Sequence, residues 1–237
     1  MKKNVLVLVL FCCLSAMAKA QVVKYCMSYS DFVAGKWKPV ESLTGGRTKQ
    51  ACQMKTVDNQ VHLKTGDKEA DKILKKEAFA VMYGGDLLVN CRNLRYKDVC
   101  LDASGYAHAV RYKGNKLCVM AYKINDAAFV LGLGADVASL FTPTPVSVGL
   151  SVGSTAMWCC RDYLNSMACY LVDSDANEKG KIPVTRINDS FMENLLANDA
   201  PLLEKYMAIG SKRNRQSAAN ILPVLMEKGM VPMHAIN

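Results

Sequence analysis

The stretch that most limits how this chain can fold runs from Ala127 to Trp158. It is apolar almost throughout, carries Gly132, Gly134, Gly149 and Gly153, and has Asp136 as its only ionisable side chain. Thr142, Pro143, Thr144 and Pro145 divide it into two arms, because a proline removes a helical hydrogen bond and restricts the residue before it. Read as a helix, each arm spans ~20 Å, short of the ~30 Å hydrocarbon core, so a two-helix crossing is not expected.

Read as strands, the arms alternate. Phe129, Leu131, Leu133, Ala135, Val137 and Phe141 share one face of the first arm, opposite Gly132, Gly134, Asp136 and Ala138, with Val130 and Leu140 breaking the pattern. In the second, Val146, Val148, Leu150 and Val152 oppose Ser147, Gly149, Ser151 and Gly153. This period of two predicts a glycine-rich hairpin. Three readings of it stay open, in this order: an amphipathic hairpin packed on the domain core, a contact surface for a membrane or protein partner, and a membrane-spanning hairpin. The last requires a closed oligomer, since a single open hairpin leaves backbone groups unpaired in lipid. Gly149 and Gly153 also have the spacing that lets helices approach closely, which keeps a short helical hairpin in play.

The chain opens as an export signal does. Lys2 and Lys3 precede an apolar run from Val5 to Leu14, and Ala18 and Ala20 put small residues where a signal peptidase reads. Cleavage is expected after Ala20, placing the product in the periplasm, the cell envelope or the medium. Bulky Phe11 before Cys12 argues against a lipoprotein. Cleavage removes Lys2, Lys3 and Lys19 and no acid, so the net charge falls from +9 to +6. With no focused basic patch and no interleaved aromatics, that charge favours solubility and general attraction to anionic surfaces, and no nucleic acid partner is expected.

Export makes disulfides chemically possible, and the mature chain keeps an even set: Cys26, Cys52, Cys91, Cys100, Cys118, Cys159, Cys160 and Cys169. Count alone gives no connectivity, and Cys118 and Cys169 sit in apolar strand-like runs where free thiols also pack. His62, His108 and His234 are scattered without ligand spacing, so neither a metal nor a cofactor is expected.

Along the rest of the chain, Ser28 caps a helical turn ended by Gly35, and Trp37 packs on the body. Runs Ala51–Lys55 and Val61–Lys64 flank Asp58 and Asn59 as a hairpin. Asp67 opens a helix over Lys68–Glu77. Strands follow at Phe79–Tyr83 and Leu87–Cys91 across Gly84, Gly85 and Asp86, then at Tyr106–Tyr112 and Lys116–Ile124, an antiparallel meander. Met167–Asp173 and Ile182–Ile187 form a further pair. Three helices close the chain: one capped by Asp189 or Ser190, one begun at Asp199 with Pro201 in its first turn, and one over Ser217–Lys228 that Pro223 should kink or split. The fold class is α+β, an antiparallel sheet or meander with a glycine-rich apolar hairpin insert and a C-terminal helical subdomain. Residues 21–188 make the β-rich domain and 189–237 the helices.

Lys36–Pro39, Ile73–Val81 (ILKKEAFAV), Val89–Arg95 (VNCRNLR), Val184–Ile187 and the helical ending around Phe191, Met192, Leu195, Leu202, Leu203 and Tyr206 resemble an uncharacterised family of small exported proteins of gut Bacteroidales, a domain of unknown function. The resemblance covers most of the mature chain, including a Gly- and Ala-rich apolar insert. It implies no catalytic residue.

The polar segment Asn90, Cys91, Arg92, Asn93 and Arg95 holds the one weak catalytic candidate. A cysteine beside arginines can have a lowered pKa and act as a nucleophile, but it needs a base and no histidine stands near it in sequence. The plainer expectation is a strand end with a buried or disulfide-bonded cysteine. Lys212, Arg213 and Arg215 form a basic cluster that suits phosphate or lipid headgroups, or simply a solvated helix junction. The preferred function is an exported non-enzymatic protein that binds a membrane surface or partner through residues 127–158. Its contact residues are Phe129, Leu131, Leu133, Asp136, Val148, Gly149, Leu150, Val152 and Gly153. The alternatives are a thiol-dependent enzyme using Cys91 and an oligomeric pore-former.

Overall fold

The computed structural model describes residues 22–57, 60–102, 105–124 and 161–233. The predicted signal segment and the apolar stretch 127–158, with its alternating arms and contact residues, lie outside the described residues.

In chain order the elements begin with β1 (Lys24–Cys26), α1 (Tyr29–Val33), β2 (Lys38–Pro39), α2 (Glu41–Thr44), β3 (Gln53–Val57), β4 (Gln60–Lys64) and α3 (Lys68–Lys76). The central strands are β5 (Ala80–Tyr83), β6 (Asp86–Asn90), β7 (Leu94–Tyr96), β8 (Val99–Cys100), β9 (Tyr106–Arg111) and β10 (Leu117–Tyr122). Then come α4 (Arg161–Ser166), β11 (Met167–Val172), β12 (Ile182–Pro183), β13 (Thr185–Arg186), α5 (Asp189–Leu196), α6 (Ala200–Met207), α7 (Lys212–Arg215) and α8 (Ala218–Glu227).

The described residues form an open antiparallel sheet in the order β13-β11-β10-β9-β6-β5-β1-β2, with the β3–β4 hairpin joined to β9 through Val61 and Tyr106. This is the expected α+β class, with most of the helix at the C-terminal end. The β5–β6 hairpin turns at Gly84 and Gly85, at φ 67° and 91°, the left-handed pair that a two-residue hairpin loop needs and that glycine adopts without steric cost.

Both faces of the sheet are covered, which explains why β10 and β11 read as unbroken apolar runs rather than alternating ones. On one face Ala107, Ala109, Val119, Ala121, Ala168, Tyr170 and Val172 pack with Phe32, Phe79, Leu94, Tyr96 and Val184. On the other, Val110, Cys118, Met120, Cys169 and Leu171 pack with Met192, Leu196, Leu202, Tyr206, Ile221, Leu222 and Leu225 of the C-terminal helices. A third cluster, with Tyr25, Val61, Leu63, Leu74, Val81, Leu88 and Tyr106, fills the space under α3 and the β3–β4 hairpin. Trp37 packs edge-on against Phe32 at 6.2 Å between ring centroids. Among the described residues no helix is long and apolar enough to cross a membrane.

Three expectations need correction. Ile182–Ile187 is not one strand: β12 runs parallel to β7 in a small three-stranded sheet, while β13 returns to the main sheet beside β11. The Val184 N–H donates to the Arg95 carbonyl at the crossing. The N-cap of α5 is Asn188, whose side chain accepts from Phe191 N, and this frees Asp189 for another partner. Pro223 does not split the last helix: it lies inside α8, which runs from Ala218 to Glu227, on an exposed position.

Candidate functional site

β10 and β11 pair from Leu117↔Val172 to Tyr122↔Met167, over the whole of both strands. In sequence, residues 123–166 connect the paired ends Tyr122 and Met167. The two ends of this connection meet at one end of the sheet, and that neck is the candidate site.

The exit is held by hydrogen bonds to the backbone of Tyr122 and Ile124. Tyr170 O–H donates to the Tyr122 carbonyl at 2.9 Å and accepts from Ile124 N at 3.2 Å. Arg186 Nη1 donates to the Ile124 carbonyl at 2.9 Å, and Nη2 reaches Gln216 Oε1 at 3.3 Å. Both backbone groups of Ile124 are thus tied to the sheet at the last described residue before the excursion. On return, α4 buries Tyr163 and Leu164 against the sheet, and Ser166 Oγ donates to the Tyr163 carbonyl at 2.7 Å.

Lys123 links the two ends. Its Nζ donates to the carbonyls of Asn165 at 2.7 Å and Arg213 at 3.2 Å. Burial first, and then repulsion from Arg213 and Arg186, push its ammonium down from the ordinary 10.5 to about 8. The structure thereby adds Lys123 to the basic cluster read in the sequence and takes Arg215 out of it. Arg215 Nη2 donates to Asp189 Oδ2 at 2.8 Å, and Tyr206 O–H donates to Asp189 Oδ1 at 2.9 Å. Burial opposes ionisation of Asp189, but these donors outweigh it and hold the carboxyl below its usual range. Lys212 and Arg213 stay exposed beside the neck.

The segment carrying Cys91 does structural work. Asn90 Nδ2 donates to the carbonyls of Leu74, Lys75 and Ala78 at 3.0–3.2 Å, closing the end of α3, and its Oδ1 accepts from Arg92 N. Arg95 Nη1 donates to the Arg92 and Leu94 carbonyls. Cys91 is fully buried, and burial raises its thiol well above the usual range. Its cavity, shared with Asp102, Tyr122 and Tyr163, has about 10 Å³, space for about one water. That is the setting of an inert core thiol. The cavity lies where β10 parts from β9: their registered pairs end at Val119, while β10 continues against β11 to Tyr122.

Six cysteines fall among the described residues, Cys26, Cys52, Cys91, Cys100, Cys118 and Cys169, and all are free thiols. Among the described residues no cluster of His, Cys, Asp and Glu is arranged to hold a metal. A second cleft of about 300 Å³ lies between α2, the chain that follows it and Thr65, lined by Glu41, Thr44, Thr48, Lys49, Gln50 and Thr65. Its volume is at the low end for small-molecule sites. Its hydroxyls already bond within the protein: Thr44 donates to Glu41 O, Thr48 accepts from Gln50 N, and Thr65 bonds Asp71.

Sequence reasoning missed the neck because Lys123 and Arg213 stand 90 residues apart. The available signal was a lysine ending an apolar strand just before the apolar stretch.

Among known proteins, the model of a family of unknown function (DUF6563) matches residues 24–228, from β1 through α8 and across the whole apolar stretch. No curated protein and no solved structure matches the chain.

Proposed function

We propose, from the premise that the chain belongs to the DUF6563 family, that it is an exported, non-enzymatic envelope or secreted protein that binds a membrane surface through residues 127–158. The observation that carries this reading is topological. The apolar stretch lies in the sequence between two strands registered along their full length, and connecting segments commonly run over the surface of a fold. Long connections of this kind are commonly functional.

The supporting points come from both sides of the neck. Residues on either side of the stretch build three apolar clusters about the sheet. Ile124 and α4 anchor the ends, which gives the excursion a rigid base. A membrane surface supplies the apolar environment that Phe129, Leu131, Leu133, Val148, Leu150 and Val152 require, and exposed cations beside it suit an anionic leaflet. Lys2, Lys3 and the run Val5–Leu14 with Ala18 and Ala20 support export, as does the resemblance to exported Bacteroidales proteins. Within this reading residues 21–188 are the β-rich body and 189–237 the helical part.

The test is deletion of Ala127 to Trp158, replaced by a short Gly-Ser linker. The shortened protein is expected to keep the near-UV circular dichroism and cooperative unfolding of the parent and to stop co-sedimenting with lipid vesicles. An unfolded product shows that the stretch is core, and a folded product that still sediments places binding elsewhere; either result overturns the reading.

A further inference from the structure

We infer that the free edge of β3 is a docking surface for an extended segment of a protein partner in which acidic and apolar residues alternate, added to the sheet as a further strand. This surface is separate from the membrane reading and shares no residue with it.

β3 ends a branch of the main sheet. Among the described residues it pairs only with β4, from Gln53↔Lys64 to Val57↔Gln60. Alternate residues of an antiparallel strand direct their N–H and C=O groups to opposite sides, so half of the β3 backbone groups face away from β4. The two other edges of this sheet are blunted. β2 and β13 are two residues long, and β2 contains Pro39, which has no N–H to donate. β3 has five residues, none of them proline or glycine, which makes it the edge able to accept a strand.

The side chains say which strand. On one face of the β3–β4 hairpin, half-buried Met54 packs against the cluster that holds Val61 and Leu63. On the other, Gln53 and Lys55 stand opposite Lys64 and His62. Gln53, Lys55 and Lys64 are exposed and His62 is half-buried. The acid beside this row is Asp71, 3.9 Å from Lys64, and its other oxygen already accepts from the Thr65 N–H and hydroxyl. The exposed face is therefore cationic while the opposite face is apolar.

A strand laid along β3 sends its side chains alternately to these two faces. Carboxylates then fall beside Lys55, where opposite charges on neighbouring strands attract, and apolar side chains cover Met54. A second copy of the chain is a poor occupant, because it brings its own Lys55, His62 and Lys64, and a lysine on an edge keeps like edges apart. The same lysine draws an acidic strand.

The test uses the full chain and, as probe, a fluorescent, end-blocked heptapeptide of alternating valine and glutamate. Fluorescence anisotropy is expected to show binding, lost when lysine replaces glutamate in the peptide and weakened about tenfold in Lys55→Glu, a change at an exposed side chain. Amide hydrogen exchange on the same complex is expected to slow at alternate residues of β3, which a peptide held by charge alone leaves unchanged. Absence of binding, equal binding of the lysine peptide, full affinity in Lys55→Glu, or binding without protection of β3 each overturns the inference. A protein that sediments as a dimer with its β3 amides already protected overturns it too, and makes a second copy the occupant.

Discussion

His108 should make this protein lose stability in mild acid, and His108→Gln should remove that loss. The residue sits in β9 opposite Leu88 and is almost fully buried. Burial lowers its imidazole from the ordinary 6.5 to about 4. The unfolded chain therefore takes up this proton at a higher pH than the folded one. The stability associated with the neutral ring is complete above pH ~6.5, declines as pH falls, and levels off below about 4. Each pKa unit corresponds to ~1.36 kcal/mol, so the full difference is about 3 kcal/mol. Urea unfolding followed by far-UV circular dichroism at pH ~7.5 and ~4.5 measures most of it. Wild type should lose about 2–3 kcal/mol more than His108→Gln over that interval, the variant controlling for carboxylates that titrate in both. Parallel losses would refute the reasoning, since a buried neutral ring cannot then be what acid disrupts.

Two further perturbations examine the scaffold. Asn90→Ala removes the donor shared by three carbonyls at the end of α3 and should cost about 3 kcal/mol in urea unfolding. Asp189→Ala leaves Arg215, whose side chain is 14% exposed, and the Tyr206 hydroxyl without their partner. A loss of about 2–4 kcal/mol is expected in thermal or urea unfolding.

Local chemistry made much of this fold legible from sequence. Ser28 and Asp67 cap α1 and α3 as read, their side chains accepting from Asp31 N and Ala70 N. The glycine pair at 84–85 announced its hairpin. By contrast, the two-residue turn between β7 and β8 is made by Lys97 and Asp98, both at positive φ, and neither residue type signals a hairpin as glycine does. The split of Ile182–Ile187 between two sheets depends on a partner strand nearly 90 residues earlier, which no periodicity contains.

The candidate site divides in the same way. Lys212, Arg213 and Arg215 read as one basic cluster because they are close in sequence, yet the Arg215 side chain turns to Asp189 while the backbone carbonyl of Arg213 accepts from Lys123. The polar run around Cys91 offered one weak catalytic candidate beside the plainer reading of a strand end with a buried or disulfide-bonded cysteine, because side-chain type was all that was visible. Its bonds show Asn90 closing a helix end and Cys91 filling the core.

The most direct measurement of the central claim uses one tryptophan. The chain has two: Trp158 ends the apolar stretch, and Trp37 packs on Phe32 and can be replaced conservatively by phenylalanine. In Trp37→Phe, the emission of Trp158 is compared on anionic vesicles with ordinary and with brominated acyl chains, bromine quenching only on contact. Membrane binding through 127–158 predicts marked quenching by the brominated lipid. Emission identical on the two lipids would contradict it.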